Sequence, residues 1–389
     1  MKISGVVLNE NKEEPVQYAN IFLEQYGVGV STNAEGVYEI IAPKKSKVSD
    51  SVYISCMGYQ TKVFSIEQLQ LDKTIYLKEK TIELGELVIL NHSFSVKDIL
   101  RIAFGKMSKN YHSKPYQLHT FYRHYCSEND IYGRLIEAAV TVYDPKGHKN
   151  LYHSPESKIE VDVSQIRRSF DYTKNFDEHD AISIYSTIKY DVSSYETMLH
   201  SYPDEWEFSL IDTTYYNGSY VWVIGYNYDF MKNKGVSVFK VNASGKIYVN
   251  ISDFAIIRVE EKQVNEMNKE FENHSYLLEW EVNYQKYLDD YYLSYVKESG
   301  WNVDEKLGNN KEVVSKKDHR FHVEMMVNAI VLSGYDKFKG KEPDKEEIKQ
   351  IKYDKEFWGN YSVLKNTPLD DKVISDLESK KSLQDQYKN

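Results

Sequence analysis

The sequence predicts a mainly β protein: a small N-terminal β-sandwich, a helical connector and a large antiparallel sheet with a few helices. Through about the first 80 residues, short β-rich runs recur at roughly 8–12-residue spacing, with turn residues between them. A β-hairpin pattern occupies residues 116–144, and further β-rich runs extend from residue 206 to residue 332. Tyrosine, which suits half-buried sheet faces, occurs 34 times against 15 Phe and 5 Trp, so the aromatic content also favours sheets.

The composition sets limits on the class of protein. With 41% hydrophobic and 28% charged residues, the chain is typical of a folded protein, and its 389 residues predict two to three domains. The formal net charge of −10 argues against nucleic-acid binding, because phosphate neutralisation needs a basic surface. No apolar run approaches the ~18 residues of a membrane helix. No signal-peptide pattern follows Met1, so a cytoplasmic protein and a trimmed signal are alternatives.

The first predicted module spans residues 1–90 and contains six strand-like runs. They are Ile3–Leu8, Tyr18–Glu24, Gly27–Thr32, Val37–Ala42, Val52–Cys56 and Lys73–Leu77. Pro15 fixes φ at a strand entry, and Gly36 suits a turn that needs positive φ. Even spacing of short strands between such turns predicts a β-sandwich.

These residues closely resemble the carboxypeptidase-regulatory-like domain. The matching features are Gly5, Pro15 followed by Tyr18-Ala19-Asn20, Thr32–Gly36 and Ser55–Tyr59. The resemblance implies a transthyretin-like sandwich, a non-catalytic accessory found in envelope proteins of the Bacteroidetes type, and hence a periplasm-facing location. Residues Thr81–Leu90 resemble the segment that ends this domain in outer-membrane receptors and contacts an energy-transducing partner. A last edge strand is the other interpretation of that segment.

The predicted connector covers residues 91–115. Ser95 and Asp98 form a capping-box-like start, and apolar residues then recur at helical spacing. The pattern predicts one helix over Val96–Lys109, whose apolar side is interpreted as packing.

The third predicted region, residues 116–389, begins with the hairpin. Its runs are Leu118–Cys126 and Ile131–Tyr143, separated by the turn Ser127–Asp130. The connector helix, the Phe121-Tyr122-Arg123 run and the later Glu137-Ala138 run also resemble the continuation of the same envelope family. That resemblance supplies no activity. His124 stands where relatives usually have a carboxylate, so no role of that carboxylate is carried over.

Arg123 and Glu137 are the candidate site residues. If the hairpin turns near Asn129, they lie nearly opposite each other on its two strands. Two interpretations stay open: a structural pair that locks the strand register, or a pair that orients a ligand.

The remainder of this region predicts an antiparallel meander and a C-terminal helix. The predicted strands are Ile159–Val163, Trp206–Ile211, Tyr220–Ile224, Val236–Val241, Lys246–Ile251, Ala255–Glu260, Tyr276–Gln285, Tyr291–Lys297 and Phe321–Leu332. Turns are predicted at Asn217-Gly218 and at Asn242–Gly245, and helices at Ser193–His200 and from Thr367 to about Leu383. The meander resembles the half-barrel of the periplasmic lipoprotein carriers, which implies a concave face that holds an acyl chain or a peptide. A sheet that is covered by the chain's own helices, the commoner outcome for a sheet of this size, is the other interpretation.

No familiar catalytic or nucleotide-binding motif occurs, and we expect no enzyme, no cofactor and no metal site. Within the pairs His119/His124 and His319/His322 the two residues alternate faces on a strand, so neither pair is expected to bind a metal jointly. His148 and His153 are not favoured as ligands. Cys56 and Cys126 are interpreted as small buried residues rather than functional thiols.

These observations lead to one main hypothesis and two alternatives. The main hypothesis is a non-enzymatic envelope protein that binds or scaffolds, with a protein partner or an acyl ligand. The first alternative is a lipid or lipoprotein carrier, which requires a continuous apolar interior with one open mouth. The second is a glycan-binding protein, which requires Trp206, Trp222 or Trp280 exposed in a row.

Overall fold

The computed structural model describes residues 1–80, 94–147, 159–174, 184–188, 206–229, 239–268 and 272–387. Within these residues the strands are β1 (Lys2–Asn9), β2 (Asn20–Leu23), β3 (Val28–Ser31), β4 (Val37–Ile41), β5 (Ser51–Ser55), β6 (Lys62–Ser65), β7 (Thr74–Leu77), β8 (Tyr116–Glu128), β9 (Ile131–Asp144), β10 (Glu160–Arg168), β11 (Trp206–Tyr216), β12 (Ser219–Asp229), β13 (Phe239–Asn250), β14 (Ile256–Asn268), β15 (Glu272–Tyr287), β16 (Asp290–Leu307) and β17 (Val313–Val331). The helices are α1 (Ile66–Leu71), α2 (Val96–Gly105), α3 (Met107–Asn110), α4 (Ile184–Ile188), α5 (Lys345–Gln350), α6 (Lys355–Gly359), α7 (Pro368–Glu378) and α8 (Leu383–Gln386), with a 3₁₀ turn at Glu24–Tyr26. The predicted mainly β fold class is confirmed.

The N-terminal module consists of two small sheets that share one core. One sheet has the order β4-β1-β7, and the other has the order β3-β2-β5-β6. Alternate residues of both sheets, such as Ile3, Ile40, Ile21 and Ile54, are fully buried in the same apolar cluster. This is the predicted sandwich, with helix α1 added between β6 and β7.

The large sheet is an antiparallel meander that runs in chain order from β11 to β17. On its other side β17 pairs with β8, which continues to β9 and β10. β17 pairs with β16 as far as Met326 and meets β3 at Ala329, where the Ile330 amide donates to the Gly27 carbonyl at 2.8 Å. The β3 end of the module therefore continues the large sheet.

The two ends of this extended sheet approach each other. The Gly58 amide, between β5 and β6, donates to the Tyr215 carbonyl of β11 at 2.7 Å. Thr61 donates to the Asn217 side chain at 3.0 Å in the β11–β12 turn. The loop between β5 and β6 thus meets the end of β11, and the sheet curls into a half-barrel, as predicted.

The predicted turn at Asn242–Gly245 is wrong, because these residues lie inside the continuous strand β13. Gly245 pairs with Tyr226 on one side and with Glu261 on the other. A Cβ atom at Gly245 would lie 2.0 Å from the Glu260 carbonyl oxygen and 2.5 Å from the Tyr226 ring. The glycine thus serves close packing across the strand rather than a chain reversal.

The helix predictions needed smaller corrections. The connector helix begins at the Ser95 cap as predicted, where the side chain accepts from the Asp98 amide, but it ends at Gly105 and the separate α3 follows. The C-terminal helix begins at the predicted Thr367–Asp370 capping box and divides into α7 and α8. The predicted helix at Ser193–His200, the segment Thr81–Leu90, His148 and His153 lie outside the described residues.

The predicted hairpin forms with longer strands than expected. Strand β8 extends through Glu128, so the turn consists of Asn129 and Asp130, whose φ values are 50° and 65°. Asn217 and Gly218 form the second predicted two-residue turn, with φ values of 45° and 83°. Positive φ at both central residues matches the twist of the flanking strands.

Candidate functional site

One face of the large sheet carries a fully buried apolar row. A row of directly paired residues crosses nine neighbouring strands from β12 to β17 and then β8 to β10, and each member is at most 2% exposed. Its members are Ile224, Ile247, Val259, Val282, Val296, Met325, Tyr122, Ala138 and Ile166. Ile99, Leu100 and Ala103 of α2 belong to the same core cluster, so the chain's own helix covers this face.

The neighbouring row, displaced by one residue, points to the opposite face and is charged throughout. We call it the charged row; it consists of Lys246, Glu260, Glu281, Lys297, Glu324, Arg123, Glu137 and Arg167, one from each strand from β13 to β17 and β8 to β10. Glu260 and Glu281 are the like-charged neighbours on adjacent strands. Arg258 separates them, with one guanidinium nitrogen 2.7 Å from Glu260 and 3.0 Å from Glu281.

The charged row lies on the face of the sheet that packs against the N-terminal module, and we call this face the module-side face. Lys297 donates to the Tyr18 hydroxyl at 3.2 Å, and the Tyr18 ring packs against Tyr295 at 5.2 Å between centroids. Tyr18 holds a φ of 54°, an uncommon value for a residue other than glycine. Residues of the module and of β11, β14, β15 and β16 also surround a small shared cavity of about 40 Å³.

The structure places Arg123 and Glu137 directly opposite each other, as the sequence predicts. The Arg123 Nε donates to Glu137 Oε1 at 2.9 Å, and Arg167 Nε approaches the other oxygen at 2.5 Å. Burial would raise the pKa of Glu137, but Arg167 and Arg123 outweigh burial and hold this pKa below its ordinary value. The sequence missed Arg167 because it belongs to a third strand.

The C-terminal segment covers this pair. Arg123 donates to the Leu364 carbonyl and to the Asn366 side chain, each at 3.0 Å, and its other terminal nitrogen lies 3.4 Å from Asp370 Oδ1. A cavity of about 140 Å³ remains between these groups, room for about four or five waters. The contacts fit the register-locking interpretation, and a ligand-orienting role stays a prediction.

An open groove of about 870 Å³ lies on the same module-side face along β11–β16. Its charged lining residues include Lys246, Arg258, Glu260, Lys262, Glu279, Glu281 and Lys297. Lys262 and Glu279 form an ion pair at 3.1 Å while each side chain stays 52% exposed. The groove therefore presents charges of both signs to solvent at fixed positions.

Glu261, another residue lining the groove, has an unusual environment. It is 5% exposed and accepts hydrogen bonds from the Tyr226 hydroxyl at 2.7 Å and from Gln263. Burial raises its pKa, although both hydrogen bonds oppose the shift. The sequence could have indicated this buried carboxylate through the Glu260-Glu261 pair. Consecutive strand residues point to opposite faces, so one of the two carboxylates must face the core.

Other predicted site features are placed differently from expectation. Trp222 and Trp280 are 3% and 5% exposed, and Trp206 stacks on Tyr228 at 4.7 Å, so the predicted exposed tryptophan row is wrong. The opposite face carries one continuous buried apolar cluster, and the carrier alternative, which requires an apolar interior with one open mouth, stays a prediction. Cys56 and Cys126 are free, and burial raises the pKa of Cys56 to about 11 and of Cys126 to about 12.

Metal clusters and membrane helices are both absent from the part of the chain that the structure describes. No cluster of three or more His, Cys, Asp and Glu side chains there is arranged to hold a metal ion. Among the described helices, none combines the length and the apolar character needed to cross a membrane.

Comparison with known families supports the assignment of the module. Residues 3–89 match the family described as the CarboxypepD_reg-like domain. Among curated proteins, none matches the sequence.

Proposed function

We propose that this protein is a binding protein of the cell envelope that holds an extended polar ligand in the groove of its half-barrel. The envelope location rests on the CarboxypepD_reg-like module and on the resemblance of the following region to envelope proteins. The ligand fits a class with charges of both signs, such as a peptide, because the groove carries both signs.

The charged row is the observation that carries this proposal. Its charges are paired within the protein, as Arg258 shows by contacting Glu260 and Glu281 together. Charges that are positioned before the ligand arrives lower the ordering cost of binding. An acyl chain would gain nothing from such a surface and would instead desolvate it.

The N-terminal module has a defined place in this proposal. Tyr18 contacts Lys297, a residue that lines the groove, so the module meets the groove at its β16 side. We expect the module to act with the half-barrel rather than as a separate binding unit.

The test compares two lysines of equal exposure. Lys246 lies in the groove and is 47% exposed, and Lys286 lies outside it and is 46% exposed. The full chain is titrated with nonapeptides that carry both acidic and basic residues, and binding is followed by calorimetry. We expect Lys246→Glu to weaken the tightest peptide at least tenfold and Lys286→Glu to leave it unchanged. Equal losses, or no peptide binding with Kd below about 1 mM, contradict the proposal.

A further inference from the structure

A serine, a histidine and a glutamate lie together on the module-side face, next to the groove. Ser299 of β16 pairs directly with His322 of β17, and the Ser299 Oγ lies 2.7 Å from His322 Nδ1. The opposite ring nitrogen, Nε2, lies 3.5 Å from Glu324 Oε1, two residues further along the same strand. We propose that Ser299 is a nucleophile activated by His322, with Glu324 as the positioning residue, and that the site cleaves carboxylic esters.

The surroundings of Glu324 favour this assignment. It is 6% exposed and accepts a hydrogen bond from the Tyr295 hydroxyl at 2.6 Å. Burial would raise its pKa, but His322, Arg123 and Tyr295 outweigh burial and lower it to about 2, so the group is a carboxylate. A carboxylate beside Nε2 keeps the proton on that nitrogen, which leaves the Nδ1 lone pair to accept the Ser299 proton.

The imidazole is also held in place by packing. The Tyr125 ring stacks on His322 with centroids 4.8 Å apart and planes 25° apart. A base that is oriented by a carboxylate and an aromatic face needs little rearrangement before proton transfer. Cross-strand Ser–His hydrogen bonds also stabilise sheets. That structural role requires neither the carboxylate nor an accessible hydroxyl.

Ser299 is accessible from two sides. It lines the charged groove and also a second pocket of about 350 Å³, whose apolar lining includes Trp301, Phe321, Tyr132 and Leu277. Gly300 lets the Phe321 ring, which lines this pocket, lie close to the β16 backbone, because a Cβ at Gly300 would lie 2.0 Å from that ring. The substrate class that fits is an ester that joins a small apolar or aromatic acyl group to a polar, charged alcohol portion.

The chemistry balances with the groups present and water. The Ser299 oxygen bonds to the acyl carbon while its proton moves to His322 Nδ1, and the alkoxide leaves with that proton as the C–O bond breaks. Water then attacks the acyl-serine, its proton passes through His322 to the serine oxygen, and the acid departs. Lys297, two residues before Ser299 on the same face, lines the same groove and supplies a positive charge to it.

The test uses a fluorophosphonate probe on the full chain. In the labelling step, the Ser299 oxygen bonds to phosphorus, the P–F bond breaks, and the hydroxyl proton passes to His322. We expect about one label per chain, mapped to Ser299 by peptide mass spectrometry. Ser299→Ala should lose the label, and Ser315→Ala, which changes an exposed serine of β17 outside the groove, should keep it.

Variants of the other two residues separate catalysis from structure. His322→Gln keeps a polar side chain beside Ser299 but lacks a basic nitrogen, and we expect labelling to slow at least a hundredfold. Glu324→Gln should slow labelling less, and Glu324→Asp should restore part of the rate, with thermal melting as the check on folding. An unlabelled Ser299 in the folded protein, or a His322→Gln variant that labels at the wild-type rate, overturns the proposal. Peptide binding without labelling leaves the binding function intact and removes only this activity.

Discussion

The two ends of the charged row differ in what covers them. At the hairpin end, Arg123 and Glu137 are 2% and 3% exposed beneath the C-terminal segment. At the groove end, the Lys246 side chain is 47% exposed and lies 3.8 Å from Glu260. Residues of the same chemical type, in one register row, are sealed from water at one end and open to it at the other.

This difference separates charges that hold the fold together from charges that are available to a ligand. A buried pair is expensive to break, because the remaining charge has neither water nor a partner. An exposed pair is screened by solvent and contributes little to stability. The buried charges at the hairpin end thus hold the C-terminal segment against the sheet. The exposed charges at the groove end remain available to a ligand.

The largest expected effect comes from neutralising the sealed carboxylate. Glu137→Gln leaves Arg123 and Arg167 facing each other without the carboxylate that both contact. We expect the free energy of unfolding to fall by about 3–5 kcal/mol, measured by urea denaturation. A loss below about 1 kcal/mol would show that the hairpin end is not sealed as described.

Acid should act on the buried middle of the charged row through Glu324. Its pKa is lowered from 4.5 to about 2, since His322, Arg123 and Tyr295 outweigh burial. A lowered pKa stabilises the folded state above the unfolded pKa, and this contribution disappears as the pH falls through the folded pKa. We expect the stability difference between wild type and Glu324→Gln to shrink from pH 4.5 to about pH 2. A difference that stays constant over this range contradicts the argument.

A smaller effect on the free energy of unfolding is expected where the C-terminal segment meets the hairpin. Asp370 closes the α7 capping box with Thr367 and lies 3.4 Å from Arg123. Asp370→Asn should lower the free energy of unfolding by about 1–2 kcal/mol. The matched control is Asp371→Asn, which changes an exposed residue in the same helical turn. Equal losses from the two variants would mean that only the helix end is affected.

The smallest effect is expected at the open end. Glu279→Gln removes the partner of Lys262 in an ion pair whose side chains are both 52% exposed. We expect a change of about 0.5 kcal/mol or less in urea denaturation, with peptide affinity changing more than stability. A loss as large as that of Glu137→Gln would erase the distinction between the two ends.

Sequence reasoning succeeded where neighbouring residues determine the outcome. The turn at Asn217-Gly218 and the caps at Ser95 and Thr367 depend on local chemistry, and all three were predicted. The Arg123–Glu137 pair was predictable for the same reason, because one short turn sets the register of its hairpin. The N-terminal module was found through the spacing of its turn residues, and the family match confirms it.

Sequence reasoning failed where a residue's role depends on a neighbouring strand. Gly245 was taken for a turn residue, although its role is to let the Tyr226 ring lie across β13. Trp222 and Trp280 were candidates for an exposed platform, and both are buried in the core cluster. Alternation identifies two faces of a strand, but it does not state which face another element covers.

Local patterns account for the strands, most of the turns, the helix starts and one charged pair, because these depend on residues close together in the chain. The charged row, the groove and the Ser299–His322 contact depend on strand register, and the row also needs β17 to pair with β8 from a distant part of the chain. A slip of one residue in any strand would exchange its charged face for its apolar face. That register is set by burying the whole apolar row at once, a property of the assembled sheet rather than of any one segment.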